Sequence, residues 1–281
     1  MSQHHRYLDT KEFSIQDRIR VGGDAPLFLI AGPCGIESAD LLHEVAGRMK
    51  EITTELELPY IFKSSYDKAN RTSIDSFRGP GLEEGLSHLE DVKQTYDVPV
   101  TSDVHGKEQV GPASDVLDVL QIPAFLCRQT DLICSAARSG CVVNVKKGQF
   151  LEPSDATYIV EKAEESGNQR VIITERGTCF GHGDLVNDFR SIPIMQSDRI
   201  PVVYDATHSA QQPASGDDQT GGTREYIPEM IRAAVATGCN GVFMEVHPEP
   251  DQALSDAATQ YPLDRVKPVL ESMLEVRSTL A

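Results

Sequence analysis

The sequence predicts a closed barrel of eight parallel strands alternating with helices, a (β/α)8 (TIM) barrel preceded by a short N-terminal β-hairpin. Three observations carry the prediction. Short apolar runs rich in β-branched residues recur at 27–32, 60–65, 98–103, 117–123, 141–147, 170–176, 201–206 and 241–246. Between them lie segments of helical periodicity, such as DLLHEVAGRMKEITTEL, GLEEGLSHLEDVKQTY, ATYIVEKAEESG and IPEMIRAAVATG. The runs follow one another about 20 to 40 residues apart, the spacing that βα units require. Short continuous apolar runs alternating with helices are the mark of a parallel sheet covered on both faces.

The elements are justified in order as follows. Residues 1–25 are polar and mixed, and FSIQ and RIRV around Asp17 suit a small hairpin. Residues 26–281 then form the barrel, with no linker rich in Pro, Gly or Ser to divide them, so the 281-residue chain is one domain. Barrels of this kind typically need about 250 residues. The first apolar run, LFLIA, is broken by Gly32 and Pro33 and delivers Cys34 just past the break. Gly140, Gly167 and Gly238 stand where helices should stop. The competing architecture is an open doubly wound sheet, which usually carries G-x-G-x-x-G after its first strand. Here that turn reads GPCGIES, so the barrel is favoured.

Composition narrows the function. A formal net charge of −17 argues against non-specific binding to nucleic acid or to an anionic membrane. No apolar run approaches the roughly 20 residues of a membrane span. The N-terminus, MSQHHRYLDT, lacks the apolar centre of a secretory signal, so a cytoplasmic protein with reduced cysteines is expected. The six cysteines, Cys34, Cys127, Cys134, Cys141, Cys179 and Cys239, lack the spacing of a zinc finger or ribbon.

In a barrel, the active site lies where the strands end. Reading off those ends gives Cys34; Lys63, then Lys68, Asn70 and Arg71; Asp103 and His105; Gln121 and Arg128; Asn144, Lys146 and Gln149; Glu175 and Arg176; Asp205 and His208; and Glu245 and His247, with Asp256 beyond. Every strand thus ends in a polar group, which is costly to bury unless paired or serving a ligand. Lys63, Lys68, Arg71, Arg128, Lys146 and Arg176 form a cationic set suited to phosphates and carboxylates. Cys34, His208, Glu245 and Asp256 offer a thiolate, an imidazole and two carboxylates, a first shell for a borderline divalent metal. His105 and His247 compete for that role. Residues 214–222, ASGDDQTGG, are expected to form a mobile lid, and 184–195, DLVNDFRSIPIM, to support subunit contacts.

The motifs AGPCGIES, FKSSYDKANRTS, RGPGLEEG, TSDVH, QIPAFLCRQTDL, NVKKGQF, TERGTCFG, YDATHS, FMEVHPEP and LSDAATQYPL closely resemble those of the 3-deoxy-D-manno-octulosonate 8-phosphate (KDO8P) synthase family, from about Leu27 to Pro268. The resemblance implies a homotetrameric barrel that condenses phosphoenolpyruvate with D-arabinose 5-phosphate and water, giving KDO 8-phosphate and phosphate for lipopolysaccharide. It further implies that Cys34, His208, Glu245 and Asp256 are metal ligands, since a cysteine at the first position marks the metal-dependent class and an asparagine the metal-independent one. The divalent ion could be Zn, Fe, Mn, Co or Cd. Lys68, Lys146 and Arg176 would hold the phosphate and carboxylate of phosphoenolpyruvate, with Gln121, Ala124 and Phe125 lining its pocket, and Lys63 and Gln149 would also bind substrate. Asn70, Arg71 and Ser73 would take the sugar phosphate. Asp103 and His105 would sit near the reacting centre, with Lys68, His208 or Asp256 moving protons.

The related DAHP synthases typically carry Lys-Pro-Arg-Thr after the second strand, whereas this chain has KANRTS. DAHP synthase is therefore the alternative enzyme, and a non-catalytic sugar-phosphate sensor the alternative of another class. Thr72, Cys179 and His182 depart from the family pattern at the rim.

Overall fold

The computed structural model describes residues 6–70, 74–179, 184–212 and 221–280. Strands β1 (Phe13–Ile15) and β2 (Ile19–Val21) pair antiparallel, as the expected hairpin. Gln16 and Asp17, both at positive φ, turn the chain between them. Strands β3 (Phe28–Gly32), β4 (Tyr60–Lys63), β5 (Val100–Asp103), β6 (Val119–Ile122), β7 (Val142–Lys146), β8 (Val171–Glu175) and β9 (Val202–Asp205) follow, each parallel to the last. After the short β10 (Gln211–Gln212) and β11 (Gly221–Gly222), strand β12 (Gly241–His247) pairs with both β3 and β9 and closes the ring. The two-residue β13 (Tyr261–Pro262) extends β12.

The helices α1 (Ala39–Glu55), α2 (Leu82–Tyr96), α3 (Lys107–Val116), α4 (Thr130–Arg138), α5 (Ala156–Glu165), α6 (Ser191–Gln196), α7 (Ile227–Ala236) and α8 (Val266–Ser278) connect successive strands or end the chain. Helices α1, α2, α5 and α7 begin and stop within two residues of the periodic segments read from sequence. Gly140, Gly167 and Gly238 all adopt positive φ just past their helices. At α1 the Ser38 hydroxyl accepts the N–H of Leu41 at 3.2 Å, so the last residue of AGPCGIES caps the first helix.

Two apolar clusters result. One lies between strands and helices, drawing on outward positions such as Leu29, Phe62, Val143 and Ile173. The other fills the lower barrel with Phe28, Ile30, Ile61, Val119, Val142, Ile172, Val203 and Phe243, and is plugged by Ile15, Ile19 and Val21 of the hairpin. Burying each such side chain is worth about 1.5–3 kcal/mol. Gly32 is required where β3 crosses β4, because a Cβ there would stand 2.0 Å from the Lys63 carbonyl oxygen. Among the described residues, no helix is long and apolar enough to cross a membrane.

Candidate active site

The side chains on a strand alternate faces, so the residue two beyond each apolar plug also points inward. Continuing from the lower cluster, that rule brings Lys63, Asp103, Gln121, Asn144, Thr174, Asp205 and Glu245 to the upper barrel. Lys146 and Arg176 lie one step further. A cavity opens there, walled by Lys68, Asp103, Gln121, Lys146, Arg176 and His208 among others. Asn70, His105, Ala124 and Phe125 also line it, Phe125 being exposed at the rim.

Cys34 is fixed on both sides of its peptide. Its N–H donates to Gln260 Oε1 at 3.1 Å, while its carbonyl accepts Lys63 Nζ at 2.8 Å and Lys68 Nζ at 3.3 Å. Its Sγ lies 3.0 Å from Ser255 Oγ and 3.1 Å from Asp256 Oδ2. The β12–β13 extension folds the intervening loop back over β3, which is how a residue 222 positions away reaches the thiol. Asp256 makes that turn at φ +50°, in the left-handed region that Asp tolerates better than most residues.

Donor atoms of Cys34, Glu245 and Asp256 lie within 4.8 Å of one another, a cluster that could hold a metal ion. His208 Nε2 stands 3.5 Å from Glu245 Oε1 and 3.9 Å from Asp256 Oδ2. The fit to a cation rests on two features. Glu245 Oε2 is buried without a hydrogen-bond partner. Burial pushes the Cys34 thiol up to about 12, and the Asp256 and Glu245 carboxylates add to the rise against Lys68 and Lys63. A cation at the cluster would answer both the orphaned oxygen and the crowding of negative charge.

Lys63 is only 1% exposed, and its Nζ donates to Glu245 Oε1 at 2.6 Å. It therefore holds a carboxylate of the cluster from beneath as well as bordering the cavity. Asp205, to which the sequence gives a strand-end position but no task, is central. It bonds Lys146 Nζ, accepts the His208 backbone N–H at 3.0 Å, and lies 2.8 Å from His208 Nδ1. Its alternation with Val203 is the signal that marks it as inward. Lys146 also sits 3.2 Å above the Phe243 ring.

Burial alone would raise the Asp205, Glu245 and Asp103 carboxyls. His208 and Lys146 outweigh it at Asp205; His208, Lys63 and Lys68 do so at Glu245; and Lys63, Lys68 and His105 do so at Asp103. All three are held well below the usual carboxylate range. Burial lowers Lys146 to about 8 despite Asp205. It would also lower Lys68, but Cys34, Glu245, Asp256 and Asp103 hold that ammonium above its ordinary value.

A belt of hydrogen bonds crosses the upper barrel. Thr174 Oγ1 donates to Asn144 Oδ1 at 2.7 Å, Asn144 Nδ2 to Gln121 Oε1 at 3.1 Å, and Gln121 Nε2 to Asp103 Oδ1 at 2.5 Å. Ser65 Oγ donates to Asp103 Oδ2 from the other side at 2.5 Å. Every bond points towards the carboxylate. The imidazole of His105 meets Tyr66 edge-on, with ring centroids 6.2 Å apart.

Other expected residues lie elsewhere. Arg128 is exposed and contributes its carbonyl to Lys162. Gln149 is buried outside the cavity wall, its carbonyl accepting Thr178 Oγ1. Glu175 faces away from the cavity. His247 accepts the Glu249 N–H on Nδ1, and its Nε2 faces Glu37 at 3.8 Å, so it takes no part in the cluster. Arg71, Thr72, Ser73, His182 and residues 214–220 lie outside the described residues; Cys179 donates its N–H to the Gln149 carbonyl at 3.3 Å.

The model of the DAHP synthetase I family matches residues 9–281. The chain belongs to that family. Within it, the chain is 55% identical over 264 residues to the 2-dehydro-3-deoxyphosphooctonate aldolase of Geobacter metallireducens, covering 94% of this chain and 97% of the relative. It is 53% identical over 260 residues to the enzyme of that name from Desulfosudis oleivorans (92% and 93%), and 54% over 252 residues to that of Legionella pneumophila (90% and 92%). That name is another for KDO8P synthase, the resemblance drawn from the motifs. All three relatives carry the octonate name rather than that of the heptulosonate enzymes.

Proposed function

We propose that this protein condenses phosphoenolpyruvate with D-arabinose 5-phosphate and water, releasing KDO 8-phosphate and inorganic phosphate. The observation that carries this reading is the meeting of Lys68, Lys146 and Arg176 with the Cys34–Glu245–Asp256 cluster at one mouth of the barrel. A substrate bearing a phosphate and a carboxylate needs such cations, in a site shielded from water.

Lys68, Lys146 and Arg176 bind phosphoenolpyruvate, with Gln121, Ala124 and Phe125 shaping its pocket. Asn70, Arg71 and Ser73 take the sugar phosphate. The enol carbon then attacks the sugar aldehyde, water adds to the neighbouring carbon, and phosphate departs. Cys34, His208, Glu245 and Asp256 would hold a divalent cation, which supplies Lewis-acid polarisation of the aldehyde or of the attacking water. Asp205 orients His208 through its backbone N–H and faces Nδ1, leaving Nε2 towards the cluster. Lys68, His208 and Asp256 are the groups placed to move protons, and Asp103 with His105 borders the reacting carbons. The protein acts as a cytoplasmic homotetramer in this reading.

The test is a side-by-side assay with arabinose 5-phosphate and erythrose 4-phosphate, measuring phosphate release and product mass. Turnover with arabinose 5-phosphate is expected to dominate; preference for the four-carbon sugar would reverse the reading towards DAHP synthase, the name borne by the family model. Chelation should abolish activity and metal add-back restore it. Cys34→Asn should retain some metal-independent turnover where Cys34→Ala retains almost none. Full activity after chelation would refute the metal assignment, and sedimentation tests the tetramer.

A further inference from the structure

Lys146 ends β7 and Arg176 directly follows the adjacent β8, both with their side chains at the cavity. The residues beside them, Lys147 and Glu175, point the opposite way and are 2% and 6% exposed. Lys147 Nζ lies 3.5 Å from Glu175 Oε1. The same ammonium donates to the carbonyls of Gly148 at 3.3 Å and Leu151 at 3.2 Å, while Glu175 Oε1 accepts the N–H of Gly177 at 2.7 Å. The Lys147 N–H donates to the Thr174 carbonyl at 2.8 Å. One buried ion pair therefore ties the chain that leaves β7 to the chain that leaves β8, directly behind the two cations.

We propose that Lys147 and Glu175 are positioning residues for phosphoenolpyruvate binding: their ion pair sets the spacing of Lys146 and Arg176. This rests on the assignment of those two cations to phosphoenolpyruvate. A buried ion pair is weak evidence for stability, since an apolar pair of similar size often serves as well. Its place here between two strand ends gives it a geometric task. A small misplacement of binding groups is enough to lower affinity or rate substantially.

Charge and geometry predict opposite signs at Glu175. Removing a buried negative charge beside an anion site should tighten phosphoenolpyruvate by Coulomb's law alone. If the pair acts by positioning, Glu175→Gln should instead weaken it about tenfold, while the KM for arabinose 5-phosphate stays within about twofold of wild type. Calorimetric titration of phosphoenolpyruvate into the protein as purified reads this directly. Because a lone buried charge can unfold the single variant, Lys147→Met/Glu175→Gln serves as the second test. It should recover the melting temperature but keep the weakened phosphoenolpyruvate binding, since the ties to Gly148 and Leu151 are gone. Unchanged or tighter phosphoenolpyruvate binding in either variant overturns the positioning role, as does an equal loss for both substrates. Absence of binding in the wild-type protein would instead overturn the substrate assignment on which the role depends.

Discussion

The lower and upper halves of the barrel interior are built by the same eight strands, about 6 to 7 Å apart along each strand, yet their chemistry is opposite. Below, Phe28, Ile30, Ile61, Val119, Val142, Ile172, Val203 and Phe243 pack against the hairpin. Above, Lys63, Asp103, Gln121, Asn144, Asp205 and Glu245 are as deeply buried, but their charges and amides pair with one another. The lower layer is closed by Ile15, Ile19 and Val21 and holds the ring together. The upper layer opens to a cavity, which its polar groups line. The difference teaches that burial alone does not define a core; satisfaction of polar groups decides which layer can work.

The largest effect should come from moving the upper chemistry down one layer. Val203→Asp places a carboxylate among the apolar side chains of the lower layer, at a cost on the order of 5 kcal/mol. The expected outcome by circular dichroism is loss of the cooperative melting transition; a normal melt would show that the lower layer tolerates charge.

Next comes loss of a proposed binding group above. Among the described residues, Arg176 donates only to neutral acceptors, Gln211 Oε1 at 2.8 Å and the His208 carbonyl at 3.3 Å. Arg176→Met thus strands no buried carboxylate, and should lower kcat/KM about 100- to 1,000-fold while costing only about 1 to 2 kcal/mol of stability. Steady-state kinetics and a denaturant titration separate the two readouts.

The upper layer should also make stability acid-sensitive. Asp103, Asp205 and Glu245 are held below their unfolded values by neighbouring cations. A carboxylate depressed in the folded state contributes stability that is full above its unfolded pKa and fades as pH falls towards the folded one. Unfolding free energy should therefore fall below pH about 4, and Asp103→Asn should flatten that fall. An acid limb unchanged by the substitution would remove Asp103 from the account.

The smallest effect sharpens the other side of the comparison. Ile61→Val in the lower layer should cost about 1 kcal/mol and leave both KM values and kcat unchanged. A kinetic change would show that the apolar layer transmits to the cavity.

Much of this organisation is legible in one dimension. The β-branched runs mark all eight barrel strands, and period-two alternation carries each inward face from apolar to polar. Asp103, Gln121, Lys146, Arg176 and Glu245 are found by following that rule to the strand ends, whereas Cys34, Lys68 and His208 stand in the loops just beyond. The rule fails where the chain leaves the strands, because loops have no period. Arg128 and Gln149 lie just beyond their strands and turn away from the cavity, and His247 turns towards Glu37. Lys63 and Asp205 are inward as expected, but their partners come from other strands, and no local pattern encodes those pairings.

The sequence by itself determined the order of strands and helices, the N-terminal hairpin and the identity of the groups at the barrel mouth, because hydrophobic periodicity is a local property. Only the tertiary structure decided which of those groups meet. The thiol of Cys34 finds Asp256 because closure of β12 on β3 and the turn at Asp256 bring distant loops together. Lys147 finds Glu175 because two adjacent strands share a register. Such contacts depend on through-space distance and on the cost of burying charge unpaired, and neither can be read along the chain.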